Sequence, residues 1–140
     1  ARRLVILASE DIGNAEPSGL PLAMAGLQSV QQIGMPEAGI CLAQVTTFLA
    51  SSPKSNRSYK AWNMARSEVN QSGRLDVPSH LRSLKAKSDA VYRYPHDDSR
   101  GWVPQQYLPM TLASKRFYHP SEHGGEKKLA DFLKFLKASK

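Results

Sequence analysis

The sequence is poor in the residues and runs that carry chemistry or cross membranes. It has one cysteine, Cys41, in 140 residues, so no internal disulfide can form. Cys41 sits in the apolar run Ile40-Cys41-Leu42-Ala43, which predicts a buried, inert thiol rather than a nucleophile. A chain without disulfides suits a reducing, cytoplasmic compartment. The uncharged stretch from Ala38 to Pro53 contains Gln44, Thr46 and Thr47 and is too short to span a bilayer, so no membrane partner is expected. Ala1-Arg2-Arg3-Leu4-Val5-Ile6-Leu7 is basic then apolar, like the opening of a signal peptide. Its apolar run is too short for one, and Ser9-Glu10-Asp11 ends it, so it reads as a helix.

Catalytic motifs are missing as well. A P-loop needs G-x-x-x-x-G-K-[ST] after a strand, so that backbone amides and the lysine surround the phosphates. His123-Gly124-Gly125-Glu126-Lys127-Lys128 lacks that spacing and the Mg²⁺-binding hydroxyl. There is no G-x-S-x-G and no cysteine–histidine pair in a catalytic context. His119-Pro120-Ser121-Glu122-His123 matches the H-x-x-E-H zinc string. That chemistry needs both histidines on one helix face, which Pro120 and Gly124-Gly125 disfavour. A loop is the preferred reading, and a small zinc hydrolase the alternative. His96-Asp97-Asp98 reads as a solvated turn beside Pro95, and His80 as structural. No catalytic, cofactor-binding or metal-binding residue is assigned.

What is present suits one soluble, mainly α domain over residues 1–140. Hydrophobic residues make up 41%, enough for a core at this length without staples. The divisions are a helical core at 1–74, a loop-rich segment at 75–120 and a C-terminal helix at 121–140. Arg2 to Ser9 is helix-compatible, and Gly13-Asn14 breaks it. A second helix is expected from Pro17 to Ile33, with Leu20, Ala23, Met24, Leu27 and Val30 on its apolar face and Gly34 as its cap. A third, started by Met35-Pro36-Glu37, is apolar nearly all round and should be the most buried element. Ser55 caps a fourth helix, reaching about Gln71 and ended by Gly73. Its predicted apolar stripe is Tyr59, Trp62, Ala65 and Val69. Five prolines after Arg74 break any long helix, although Tyr92-Arg93-Tyr94 and Trp102-Val103 suit a short hairpin. That segment should pack on the bundle through Tyr92, Tyr94, Trp102, Tyr107 and Phe117. The last helix, Glu126 to Ala138, carries Leu129, Phe132, Leu133 and Leu136 on one stripe, with Phe135 off it.

Lys plus Arg number 19 against 12 Asp plus Glu, a formal charge of +7 that favours acidic partners such as nucleic acid. The candidate DNA contacts are Lys54, Arg57, Lys127, Lys128, Lys134 and Lys137. Lys60, Arg82, Lys85, Lys87 and Lys140 add to the same clusters.

Several strings also resemble one family in order along the chain. They are Ala8-Ser9-Glu10-Asp11-Ile12-Gly13-Asn14-Ala15, Gly34-Met35-Pro36-Glu37, Leu42-Ala43-Gln44, Pro53-Lys54-Ser55-Asn56 and Val77-Pro78-Ser79-His80-Leu81-Arg82. Tyr92-Arg93-Tyr94-Pro95-His96-Asp97, Gln105-Gln106-Tyr107-Leu108-Pro109 and Phe117-Tyr118-His119-Pro120-Ser121 follow. Together they resemble the C-terminal domain of the replication-associated recombination protein A family (RarA or MgsA), which includes the Werner helicase-interacting protein. Arg82 to Val91 departs from it, being shorter than the family's segment. The resemblance implies a fold like the C-terminal collar of clamp-loader AAA+ proteins. It implies a parent protein that is a DNA-dependent ATPase at stalled or gapped replication forks, with ATP and Mg²⁺ held N-terminal to this chain. Homotetramer assembly through this region, replication-fork protein partners and a nucleoid-associated location are further implications. The oligomer-interface candidates are Tyr59, Trp62, Tyr107 and Phe135; a basic DNA-binding module without an assembly role is the alternative.

Overall fold

The computed structural model describes residues 1–82 and 92–138. The expectations for Lys85, Lys87 and Lys140, and for most of the divergent Arg82 to Val91 segment, lie outside these residues. The described residues are helical or irregular, without strands. Helix α1 spans Arg2–Leu7 and runs on through a π-turn, Ala8–Ile12, and a 3₁₀ turn, Gly13–Ala15. Helices α2 (Gly19–Gln32), α3 (Ala38–Ser51), α4 (Arg57–Ser72) and α5 (Gly125–Ala138) follow. Among the described residues, three short 3₁₀ turns lie between α4 and α5. No helix among the described residues is long and apolar enough to cross a membrane.

The helical start continues past Ser9 because the π-turn keeps Ala8 and Ile12 directed inward, both buried. The expected break falls at Gly13. Its φ is +52°, and a Cβ there would lie 2.7 Å from the Ser55 carbonyl oxygen. The core joins Ala8, Ile12, Ala23, Val45 and Leu49, with Leu4, Leu22 and Phe48 packed against it.

The α2 stripe differs from expectation. Gly19, Ala23 and Gly26 form the buried track, while Leu20 and Met24 are exposed. A Cβ on Gly26 would fall 2.8 Å from Val45 Cγ2, so α3 approaches α2 too closely for larger residues. Pro21 is tolerated in the first turn, where its missing N–H has no intrahelical partner. Gly34 follows the helix at φ +79°, as a capping glycine does.

Helix α3 is not buried all round. Ala38, Val45 and Leu49 face the core, whereas Ile40 is 76% exposed. Of the predicted stripe of helix α4, Tyr59, Trp62 and Val69 are exposed and only Ala65 is half-buried; no residue of the helix is fully buried. The other half-buried positions are Arg57, Ser58, Ala61 and Glu68. Asn56, not Ser55, stands at the N-cap of α4 and makes no side-chain cap bond; Ser55, one residue earlier, accepts the Arg57 N–H at 3.3 Å. On α5, Leu129, Phe132 and Phe135 are exposed, while Ala130 and Leu136 are buried and Leu133 half-buried.

The expected hairpin does not form. The Gln105 side-chain amide takes the place of a partner strand, accepting the Arg93 N–H at 3.2 Å and donating to the Arg93 carbonyl at 2.8 Å. Tyr92, Tyr94 and Tyr107 are exposed rather than packed inward; Trp102 and Phe117 are half-buried and Val103 is buried.

The fully buried carboxylate of Glu126, at 0% exposure, ties the separate segments together. It accepts the Ser55 hydroxyl at 2.7 Å, the Tyr118 hydroxyl at 2.6 Å and the Ser121 N–H at 2.8 Å. Tyr118 in turn accepts the Asn14 amide at 3.0 Å, and the Ser55 N–H donates to Asp11 O at 2.7 Å. Burial pushes the Glu126 carboxyl up; the bonds from Ser121, Tyr118 and Ser55 outweigh it, leaving its pKa below the ordinary 4.5. Burial and the adjacent carboxylate raise that of Tyr118.

Two outcomes are expected. Glu126→Gln should cost about 1–3 kcal/mol in urea unfolding, because its amide meets a hydroxyl or N–H donor with another donor. The acid limb should also change. Below 4.5 the unfolded chain protonates first, so the Glu126 contribution is complete above that pH and is lost as pH falls through the lower folded value. Stability measured against pH should fall less steeply below 4.5 in Glu126→Gln than in the wild type.

Candidate functional site

Ser55 and Ser121, both partners of Glu126, line a groove of about 410 Å³ at the start of α4. Arg57, Lys60, Asn56 and His123 line it, with Asp11 opposite in charge. The Lys54 ammonium, expected at DNA, donates to the carbonyls of Leu49 (2.7 Å), Ala50 (3.3 Å) and Ser52 (2.7 Å). It thereby satisfies carbonyls that the end of α3 leaves unpaired and complements the helix dipole. His123 Nδ1–H donates to the Lys54 carbonyl at 2.9 Å, so that carbonyl and the lysine's head are both held.

The remaining sequence candidates spread over two faces rather than one pocket. Lys127, Lys128 and Lys137 are exposed on α5. Lys134 lies 3.9 Å from Glu122 and 3.7 Å from Asp131, mostly solvated, so these ion pairs hold it weakly. Trp62 (62% exposed) and Tyr59 stand outward on α4. Phe135 stacks on Phe132, ring centroids 6.4 Å apart, at the surface of α5. The Tyr107 hydroxyl accepts the Gln105 amide at 2.9 Å. A second groove, about 280 Å³ and largely aliphatic, lies between the end of α4 and the loop-rich segment, lined by Val69, Leu75, Leu108, Leu112 and Phe117.

The chemical patterns weighed in the sequence resolve into structure. His119 Nε2–H donates to Arg116 O at 3.1 Å while His123 serves Lys54, and both precede α5. The described residues hold no group of three metal-ligating side chains. Asp98 is gripped by Arg100 through two bonds of 2.8 and 2.9 Å, which hold its carboxyl well below the usual range. Arg100 also lies over the Trp102 ring at 5.7 Å. A Cβ on Gly124 would collide with the Ala15 carbonyl and the Pro53 ring, so this position packs too closely for any residue but glycine.

Sequence reasoning missed the buried Glu126, whose partner Ser55 is 71 residues away. It also missed the outward Ile33, Met35 and Ile40. Their signal was the helical period itself: once Val45 and Leu49 face inward, Ile40 falls on the opposite side of α3.

Residues 1–137 match the family model described as MgsA AAA+ ATPase C terminal. Replication-associated recombination protein A of Coxiella burnetii is 40% identical, over 98% of this chain and 33% of that protein. The protein of the same name from Escherichia coli K12 is 34% identical, over 97% and 32%. The ATPase WRNIP1 of Dictyostelium discoideum is 37% identical, over 84% and 14%. The chain thus spans about a third of the bacterial relatives. An all-helical set of described elements and a match along almost its whole length agree: the chain belongs to the MgsA AAA+ ATPase C-terminal family.

Proposed function

We propose that this chain is the self-association domain of a DNA-dependent AAA+ ATPase that maintains replication forks and supports recombination and repair, its subunits held as a homotetramer. ATP and Mg²⁺ are bound elsewhere in the parent protein, and replication-fork proteins are its partners in the cytoplasm, at the nucleoid. The carrying observation is the outward placement of Tyr59 and Trp62 on α4 and of Phe132 and Phe135 on α5. Large apolar side chains left in solvent favour an interaction site. Light scattering on a size-exclusion column should give an oligomer. Trp62→Glu with Phe135→Glu should reduce its mass at least twofold while leaving the helical spectrum intact. A monomeric wild type at high concentration would overturn the reading.

A second function of the same domain, DNA contact, is favoured by the exposed Lys127, Lys128 and Lys137 and by the Arg57–Lys60 groove. Affinity for DNA should fall steeply with salt, by a log–log slope of about one per neutralised phosphate. Charge reversal at Lys127, Lys134 and Lys137 should weaken binding across all sequences and flatten that slope, as read by fluorescence anisotropy. No binding at low salt would remove this reading.

A further inference from the structure

We infer that the groove at the start of α4 binds a phosphomonoester group, the dianion carried by the end of a nucleic-acid strand or by a free mononucleotide. For a strand end the site rests on the DNA reading above and narrows it; for a free mononucleotide it stands apart from that reading. Arg57 carries the inference. Among the described lysines and arginines only Arg57 and Arg100 are half-buried, and the rest are exposed. Arg100 is matched by the Asp98 carboxylate. Arg57 has no such match: none of the ion pairs or side-chain hydrogen bonds of the described residues involves its guanidinium. A guanidinium that has given up part of its hydration is costly without an acceptor, and its planar fork fits the oxygens of a phosphate.

The groove around Arg57 supplies the rest of a phosphate's needs. Lys60, one turn along the same helix, lines it and is likewise unpaired. The Asn56 side chain makes no cap bond, so its amide is free to donate. His123 spends Nδ1 on the Lys54 carbonyl, which fixes the ring and leaves Nε2 without a partner. The walls are set before any ligand arrives. Ser55 and Ser121 are both tied to the buried Glu126, and the Ser55 N–H is held by Asp11 O.

Charge selects the kind of phosphate. Lys54, Arg57 and Lys60 face the groove against the one carboxylate of Asp11. A phosphomonoester carries about −1.5 to −2 at neutral pH and matches that balance. An internal phosphodiester brings a single charge and leaves the excess unmatched. The exposed lysines of α5 lie elsewhere, spread along a helix face as a strand's backbone would need them.

Fluorescence anisotropy with one 3′-labelled oligodeoxythymidine, prepared with a 5′-phosphate and with a 5′-hydroxyl, tests the strand end. The phosphorylated strand should bind about tenfold more tightly, the gain of one charge-assisted contact. Arg57→Gln with Lys60→Gln should abolish that ratio and leave the helical spectrum unchanged, because Ser55 holds the Arg57 backbone N–H and not its side chain. Charge reversal at Lys127 and Lys137 should weaken both strands alike and keep the ratio. Calorimetry with thymidine monophosphate against thymidine tests the free source. Binding of the monophosphate alone, lost in the Arg57→Gln, Lys60→Gln variant, together with equal affinity for the two strands, assigns the site to mononucleotides. Equal affinity for the two strands with no heat from the monophosphate overturns the inference, and the DNA reading stands if both strands bind. A phosphate preference that survives the double substitution overturns it too. If neither strand binds, the DNA reading falls, and the monophosphate titration alone decides the site.

Discussion

One negative charge buried without a cation governs how this domain holds together. A carboxylate taken out of water is costly unless donors replace its hydration. Glu126 receives a donor from each of three places: the turn before α4, the residue Tyr118 and the backbone of Ser121. Each donor is itself fixed. Ser55 is held by the Asp11 carbonyl, and Tyr118 by the Asn14 amide. The end of the π-turn, the start of α4 and the start of α5 therefore share one hydrogen-bonded centre rather than a continuous oily core. Gly13 and Gly124 let the backbones come close enough for that centre to close.

The same economy of core volume explains how the sequence was legible and how it misled. Helix existence follows from period, proline and glycine, and α2 to α5 lie close to where those signals put them. Facing does not follow from hydropathy when the tightest contacts are made by glycine and alanine. In α2 the small track of Gly19, Ala23 and Gly26 took the inner position, and Leu20 and Met24 were left outside. In α4, Ala61 and Ala65 took the inner side and Trp62 the outer. Of the candidate site residues, Trp62, Phe135 and the α5 lysines stand where a partner can reach them, whereas Lys54 serves the end of α3. Nothing local in the sequence marked Lys54 for that task, because its three carbonyl partners are chosen by how the chain folds back after Pro53.

Family membership and surface then carry different parts of the functional account. The family places the chain at the C-terminal end of an AAA+ ATPase. The geometry describes what such a piece contributes. His119 and His123 serve carbonyls, and large apolar side chains stand exposed on each of α2, α3, α4 and α5.

The Gln105 amide has a consequence for how this segment meets other chains. A backbone strand partner would leave a second edge of unpaired N–H and C=O groups, open to endless edge-to-edge addition. The Gln105 side-chain amide pairs with the Arg93 backbone and the Tyr107 hydroxyl and presents no strand edge of its own. Growth into fibres by sheet extension is thereby denied its template at this segment.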